Sequence, residues 1–395
     1  MRLALLVLVL STTAVAQTPR ERAEAGGAAF AAARAAAEAE RWEEAVPGFE
    51  AAVALRPGQA TYLYTLARAY AASGDSRAAR AALLRLAGLG VVVDEDALGA
   101  VLAPVPDAVR AAFDANRQPI GRADTAAVWA DPSFGPEGVA LDGGRVFVSS
   151  MRRGEIVVVE GGVGRVFARR DSASFRGLAA DPARRRLWVG VADADGEHGG
   201  LMAVDLDTGA LAVDLVAVDA ARSVTGDLAL GPDGAVYAST ASGAVARLAD
   251  RDVTVLVAPG VLPSPQGLAL VDGGRALVVA DYSTGLHRVD LATGERTGLA
   301  AEGVLGVDGL VADGDTLYGV QNGLSPFRIV RIDLDGLRVR SVLANDPRLG
   351  EPTHVALAPG GLLVLANAVW PLLGADGAFD PAEASAPLVL FVPLD

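Results

Sequence analysis

The sequence predicts a mainly β protein: a six-bladed β-propeller preceded by a small all-α helical domain. The first observation is a motif that occurs six times in the back two-thirds of the chain, made of a turn, a small or polar residue and an apolar run of strand type. Counted from its third residue, successive copies of this blade motif are 39, 50, 40, 42 and 45 residues apart. A period of about 40 with several short strands per unit is typical of propeller blades. The copies occupy residues 136–141, 175–180, 225–230, 265–270, 307–312 and 352–357.

The second observation concerns the two ends of the repeat region. The last unit ends after its third strand, at about residues 388–392, whereas a strand-like segment, Ala127-Val128-Trp129, precedes the first motif. We predict that this N-terminal segment supplies the fourth strand of the last blade, which leaves no open sheet edge at the seam. A count of five or seven blades is the alternative.

The third observation is a change of composition at residues 17–118, which are rich in Ala and have apolar residues at helical spacing. Two stretches match at an offset of 34 residues, with Ala45 and Ala79 as equivalent small residues. Over residues 28–91 this pattern resembles the tetratricopeptide repeat, which implies pairs of antiparallel helices. The region is interpreted either as a spacer or dimerisation element or as a groove for a peptide or partner protein.

Between the repeat and the propeller, a helical pattern at residues 95–116 contains Pro104 and Pro106, which should divide it into two helices. We expect the last helix to cap the repeat or to dock on the propeller. The predicted boundaries are a linker at residues 119–125 and a propeller at residues 126–395.

The first sixteen residues predict a secretory signal peptide, with Arg2, an apolar stretch and the small-residue site Ala14-Val15-Ala16. The apolar stretch is too short to span a bilayer, so we expect an exported protein, periplasmic or extracellular, without membrane insertion. The net charge of −14 argues against nucleic acid as a partner. The chain has no cysteine, and its length allows a core large enough to be stable without disulfides.

Four segments carry a family resemblance, at residues 135–138, 265–269, 280–290 and 307–310. They resemble the senescence-marker-protein, gluconolactonase and regucalcin family, and more broadly the NHL-type six-bladed propellers, and the resemblance covers residues 130–370. In that family a divalent cation, usually calcium, lies in the central channel. The resemblance implies Glu137, Gln266 and Asp308 as its ligands, a set of oxygen donors that suits calcium. In the lactonases of the family the matching Asp is a general base or positions water, which implies a catalytic role for Asp308.

The sequence departs from the family pattern at several of these positions. Gln266 is one methylene longer than the usual Asn, and Arg176 occupies the second blade's position, where its guanidinium could replace the cation by pairing with Glu137. Arg222 lies one residue from where the family keeps a substrate-binding Arg, and His354 could approach the channel or be an ordinary satisfied strand histidine. The candidate binding residues are Arg176, Arg222, Thr353 and His354.

These observations leave two functional hypotheses. The first is a non-catalytic propeller joined to a helical-repeat arm, which binds a small molecule in the channel or a protein through the helical region. The alternative is a calcium-dependent hydrolase of the lactonase or esterase type. No Gly-x-Ser-x-Gly elbow, phosphate-binding loop or His-Glu-x-x-His helix occurs in the sequence. Trp129, Trp188 and Trp370 are predicted to pack within blades.

Overall fold

The computed structural model describes residues 17–161, 163–193, 196, 198–218, 224–299, 302–374 and 378–394. The predicted signal peptide and the candidate Arg222 lie outside these residues. The described chain begins with α-helices and continues as β-strands that form six sheets, which confirms the predicted fold class. Among the described helices, none combines the length and the apolar character needed to cross a bilayer.

The helical domain begins at a well-formed N-cap. Thr18 Oγ1 accepts a hydrogen bond from the Glu21 N–H at 3.2 Å, and Glu21 Oε2 accepts one from the Thr18 N–H at 2.8 Å, so the first helix starts with a capping box. Asp75 and Asp94 are N-caps of later helices, where their Oδ1 atoms accept from the Ala78 and Ala97 N–H groups at 2.9 and 2.7 Å. The helices are α1 (Pro19–Glu38), α2 (Trp42–Leu55), α3 (Ala60–Ala72), α4 (Ser76–Gly88), α5 (Glu95–Gly99) and α6 (Asp107–Asn116).

The core of this domain lies between helices that are neighbours in sequence. Ala45 and Ala79, the equivalent small residues of the predicted repeat, are both fully buried, and Phe49 fills the space between helices. The predicted division at Pro104 and Pro106 is confirmed, because they fall between the end of α5 and the start of α6.

Each blade of the propeller is a four-stranded antiparallel sheet, and its blade motif forms the strand nearest the axis. The first three blades comprise β2 (Pro136–Asp142), β3 (Arg145–Ser150), β4 (Glu155–Glu160) and β5 (Val163–Arg169); β6 (Ala173–Asp181), β7 (Arg186–Asp193), β8 (Gly199–Asp205) and β9 (Leu211–Val216); and β10 (Thr225–Leu230), β11 (Val236–Thr240), β12 (Val245–Ala249) and β13 (Asp252–Val257). The next two comprise β14 (Pro265–Val271), β15 (Ala276–Asp281), β16 (Gly285–Asp290) and β17 (Arg296–Gly298); and β18 (Val307–Asp313), β19 (Thr316–Gln321), β20 (Arg328–Asp333) and β21 (Arg338–Ala344).

The sixth blade joins the two ends of the propeller. It is built from β22 (Val355–Ala358), β23 (Gly361–Leu365), β24 (Leu388–Pro393) and the N-terminal strand β1 (Asp124–Val128). β1 pairs antiparallel with β24, from Asp124 opposite Phe391 to Val128 opposite Leu388. The predicted closure and the blade count of six are therefore confirmed.

Glycine at the third position of the blade motif lets neighbouring blades approach each other closely at the axis. A Cβ added at Gly138 would lie 2.6 Å from the Arg176 carbonyl oxygen, and one at Gly267 would lie 2.4 Å from that of Asp308. In five blades the strand register also shifts inside the motif, next to this position. Such bulges change the direction of a side chain, and in these five blades they lie beside the second motif position, which faces the axis.

The helical domain is docked on the propeller through a buried arginine. Arg328, on β20, donates from Nε to Gln321 Oε1 at 2.6 Å and from Nη2 to the Leu89 carbonyl oxygen at 2.6 Å. Leu89 is the C-cap of α4, where a cation is favoured by the helix dipole. At the end of α6, Asn345 Nδ2 donates to the Asn116 carbonyl oxygen at 2.9 Å.

Candidate functional site

A polar cavity of about 550 Å³ opens on the axis of the ring. The second positions of all six motifs line it, and in five of the blades a bulge in the innermost strand lies next to this position. The structure thus brings together every described candidate residue proposed from the sequence. These are Glu137, Arg176, Gln266, Asp308, Thr353 and His354.

Two motif positions that lack glycine face each other across the ring. Asp227 belongs to the third blade and His354 to the sixth, which are opposite in a six-bladed ring, and His354 Nε2 lies 3.0 Å from Asp227 Oδ1. Both side chains are buried, so the pair closes the axis beneath the cavity. In the neutral ring Nε2 carries the proton, because Nδ1 accepts from the Val139 N–H at 3.3 Å.

The charge on His354 is governed by its acidic neighbours. Burial alone would lower the pKa of His354, but Asp227, Glu137 and Asp308 together outweigh burial and raise it. The long Val139 contact favours the neutral ring only weakly, so the carboxylates dominate.

Glu137 and Arg176 are connected through Trp370. Trp370 Nε1 donates to Glu137 Oε2 at 2.8 Å, and the guanidinium carbon of Arg176 lies 4.8 Å from the Trp370 ring centroid. Burial raises the pKa of Glu137, and the positive charge of Arg176 partly offsets this effect. Among the described residues no ion pair within 4.0 Å joins Glu137 to Arg176. The prediction that Trp370 packs within a blade is wrong, because it lies on a short 3-10 turn at the cavity.

Asp308 and Glu351 are two further carboxyl groups that line the cavity. Asp308 Oδ2 accepts from Asn322 Nδ2 at 2.8 Å, and burial together with the charge of Glu137 raises the pKa of Asp308 well above its usual value. Burial, together with the charge of Glu137, raises the pKa of Glu351 to about 7. Within the described chain, the buried atoms Asn322 Oδ1 and Glu351 Oε2 have no hydrogen-bond donor.

The proposed calcium ligands do not form a fitting donor set. Glu137 is engaged by Trp370, Asp308 by Asn322, and the Gln266 amide nitrogen donates to Ser264 Oγ at 3.1 Å. In the part of the chain that the structure describes, no group of three or more His, Cys, Asp or Glu side chains is arranged to hold a metal ion. Calcium typically takes six to eight oxygen ligands, and these residues do not supply such a cage.

Sequence reasoning missed four residues of this site as functional candidates. Asp227 was visible as a break in the motif's third-position glycine, the same signal that His354 carries. Asn322 follows β19 and Glu351 precedes the sixth motif, and neither position has a repeat signal. Tyr282 also lines the cavity, and burial raises its pKa to about 12.

Fold and site together define a six-bladed β-propeller with an acidic cavity on its axis and a docked helical domain. No family model matches the sequence, and no curated protein is significantly similar to it. The family and tetratricopeptide resemblances therefore stay predictions.

Among solved structures, similar chains include the PQQ-bound aldose sugar dehydrogenase of Streptomyces coelicolor, with 16% identity over 70% of this chain and 99% of that one and a TM-score of 0.45. Another is a putative oxidoreductase (glucose dehydrogenase) of Thermus thermophilus, with 17% identity over 69% of this chain and 99% of that one and a TM-score of 0.48. A protein of unknown function from Bacteroides thetaiotaomicron has 14% identity, covers 65% of this chain and 69% of that one, and has a TM-score of 0.49. Similarity at this level carries no argument about activity.

Proposed function

We propose that this is an exported, non-catalytic, two-module protein whose axial cavity binds a small molecule with an amino group and hydroxyls. The observation that carries the proposal is the pair of buried acceptors, Asn322 Oδ1 and Glu351 Oε2, for which the described chain supplies no donor. Buried acceptors without donors are costly, so a ligand that brings N–H and O–H groups would be stabilised there.

The charge of the cavity favours a cationic ligand. Carboxylates outnumber basic groups among its lining residues, and burial together with the charge of Glu137 raises the pKa values of Asp308 and Glu351. An ammonium group between them would favour their ionised forms. Tyr282 also lines the cavity, and an aromatic ring attracts a cation.

The acceptors are held in place before any ligand arrives, which supports binding rather than chemistry. Asn322 is held by its Nδ2, which donates to Asp308 Oδ2 at 2.8 Å and to the Pro352 carbonyl oxygen at 2.9 Å, and Glu137 is held by Trp370 Nε1. A preorganised set of this kind lowers the ordering cost of association.

A lactonase-type hydrolase is the second candidate. The observation that favours it is the buried Asp308 carboxyl, whose pKa burial raises, because carboxyl groups with raised pKa values are common among catalytic acids and bases. The ligand set for a divalent cation does not fit, so we derive no metal-assisted step. Turnover of a lactone panel, lost in Asp308→Asn, would support this candidate over the binding role.

The experiment is calorimetric titration with three compounds on one carbon frame: serinol, glycerol and glycerate, which carry an ammonium, a hydroxyl and a carboxylate. We expect serinol to bind at least about tenfold more tightly than glycerol, and glycerate to bind least, since one well-placed charge contact contributes about 1.4 kcal/mol or more. Asp308→Asn should remove this preference, and Glu43→Gln, on the exposed face of α2, should keep it. Tighter binding of glycerate than of serinol would overturn the proposal.

Export and a protein partner are parts of the proposal that need their own measurements. Export predicts that the mature protein from the native host begins after Ala16, which N-terminal sequencing checks. A partner bound through residues 28–91 would be captured by the full chain and lost when the exposed side chains of α2 and α3 are substituted.

A further inference from the structure

A second cavity, of about 590 Å³, lies between the helical domain and the fourth blade, away from the axial site. The first turn of α1 and the end of α2 form one wall. Strands β16 and β17, with the segment that follows them, form the other. The two cavities share no lining residue, so a ligand bound here would be distinct from a ligand of the axial cavity.

Three arginines from both modules face this cavity: Arg22, Arg56 and Arg296. Within the described ranges, no carboxylate lies within 4.0 Å of any of their guanidinium groups. The acidic side chain in the lining is Glu302, and Arg85 already holds it, from Nε at 3.0 Å and from Nη2 at 2.6 Å. The cavity therefore has a net positive lining.

Arg56 is held across the domain boundary with part of its donor capacity unused. Its Nη2 donates to the Ser283 carbonyl oxygen at 3.1 Å, whereas its buried Nε has no partner in the described chain. The side chain passes over Gly26, where an added Cβ would lie 2.9 Å from Arg56 Cγ. An anion in the cavity would supply the missing acceptor.

Arg296 is oriented by a chain of hydrogen bonds inside blade four. Its Nη1 donates to His287 Nδ1 at 3.1 Å, His287 Nε2 lies 2.8 Å from Thr284 Oγ1, and Thr284 Oγ1 donates to Asp281 Oδ1 at 2.8 Å. The order of donors requires a neutral His287 with its proton on Nε2, in agreement with burial, which lowers the pKa of His287 to about 4. The imidazole is thus an acceptor that anchors the guanidinium at the cavity wall.

We propose that this interdomain cavity binds a small organic anion, a carboxylate or phosphate monoester carried on an apolar body. The guanidinium fork matches either oxyanion group. The remaining lining is largely apolar, with Leu55, Leu286, Leu299 and Leu305, which suits a hydrocarbon or ring next to the charge.

The test is calorimetric titration of the full chain with benzoate, phenyl phosphate, benzyl alcohol and inorganic phosphate. We expect one of the two aromatic anions to bind at least tenfold more tightly than both benzyl alcohol and inorganic phosphate, and the tighter anion identifies the head group. Arg56→Gln and Arg296→Gln should each weaken binding about tenfold. Arg34→Gln, an exposed arginine on α1 paired with Glu38, should leave it unchanged.

Two results would overturn the proposal: benzyl alcohol binding as tightly as the anions, or anion affinity unchanged in Arg56→Gln and Arg296→Gln. Arg22→Gln tests the same point with an exposed side chain if either variant of the half-buried Arg56 or Arg296 fails to fold. Serinol should not displace the aromatic anion, which keeps this result separate from that of the axial cavity.

Discussion

His354 Nε2 lies 3.0 Å from Asp227 Oδ1, so two side chains that are 127 residues apart in sequence close the axis of the ring. They occupy the motif position that is glycine in the other four blades. In blades with glycine at this position, the innermost strands of neighbouring blades come into direct contact. In the third and sixth blades, Asp227 and His354 instead join opposite blades through a hydrogen bond.

Breaking this pair should destabilise the propeller. His354→Ala leaves a buried carboxylate without its partner and should lower the free energy of unfolding by about 3 kcal/mol. Asp227→Asn keeps an acceptor for Nε2–H and should cost about 1 kcal/mol. A double-mutant cycle measures the interaction directly. Urea unfolding of His354→Ala, Asp227→Ala and the variant that carries both changes should give a coupling energy of about 2 kcal/mol, and a coupling energy near zero would contradict a direct interaction.

Glycine at the third motif position should be indispensable, whereas its neighbour should not be. Gly267→Ala places a Cβ 2.4 Å from the Asp308 carbonyl oxygen and should destabilise the fold by about 3 kcal/mol. Gly226→Ala is the matched control, because its Cβ would meet Ser239 Oγ at 3.4 Å, an ordinary contact. We expect Gly226→Ala to stay within about 1 kcal/mol of the unmodified protein in thermal unfolding. Equal effects of both changes would refute the close-approach argument.

Serinol binding to the axial cavity should depend on pH through Glu351. Its pKa of about 7 means that the carboxyl is largely neutral at pH 6 and ionised at pH 8, so affinity for the cation should rise about tenfold across this interval. Glu351→Gln should remove most of the rise. Titrations at both pH values check this, and a pH dependence that persists in the variant would assign it to another group.

Folding stability should fall in acid because of His287. The unfolded chain binds a proton at this residue below about pH 6.5, whereas the folded protein resists protonation down to about pH 4. Stability from this group is therefore complete above pH 6.5 and is lost as the pH falls to 4, by about 3 kcal/mol. The measurement is the difference in unfolding free energy between the unmodified protein and His287→Gln.

The difference between the two unfolding free energies removes the contribution of carboxyl groups such as Asp308, whose raised pKa values stabilise the fold as the pH falls. If that difference does not change between pH 7 and pH 4, His287 is not the group responsible.

Arg328 should hold the helical domain on the propeller. Arg328→Met removes the donor to the Leu89 carbonyl and to Gln321, two buried acceptors, and should cost about 3 kcal/mol. We also expect faster proteolysis between α6 and β1, because the domains separate more often. Arg331→Ala, which removes an ion pair with Asp333 on the same strand, should leave stability unchanged within the error of the measurement, because exposed ion pairs contribute little. Proteolysis as slow as in the unmodified protein would show that other contacts suffice.

The motif spacing made the ring predictable, because a propeller repeats one local pattern in every blade and its N-terminal strand completes the last blade. The family resemblance implied a place in the central channel for Glu137, Gln266 and Asp308, and all three line the axial cavity. It could not show where their oxygen atoms point, which depends on neighbours such as Trp370 and Asn322. Trp370 lies in the long connection between β23 and β24, which has no counterpart in the other blades, so no repeat position could be assigned to it.

The interdomain cavity was beyond sequence reasoning for a different reason. It needs the relative placement of α1, α2 and blade four, which no periodicity encodes. Arg56 and Arg296 look like ordinary surface arginines in the sequence, 240 positions apart, until docking brings them to opposite walls of one cavity.

The seam between β1 and β24 has a consequence for biosynthesis. Asp124 pairs with Phe391, so a strand that leaves the ribosome early stays without its partner until nearly the whole polypeptide has followed. The growing chain must carry an uncovered β-edge through that interval, and chaperone protection should matter most at this stage.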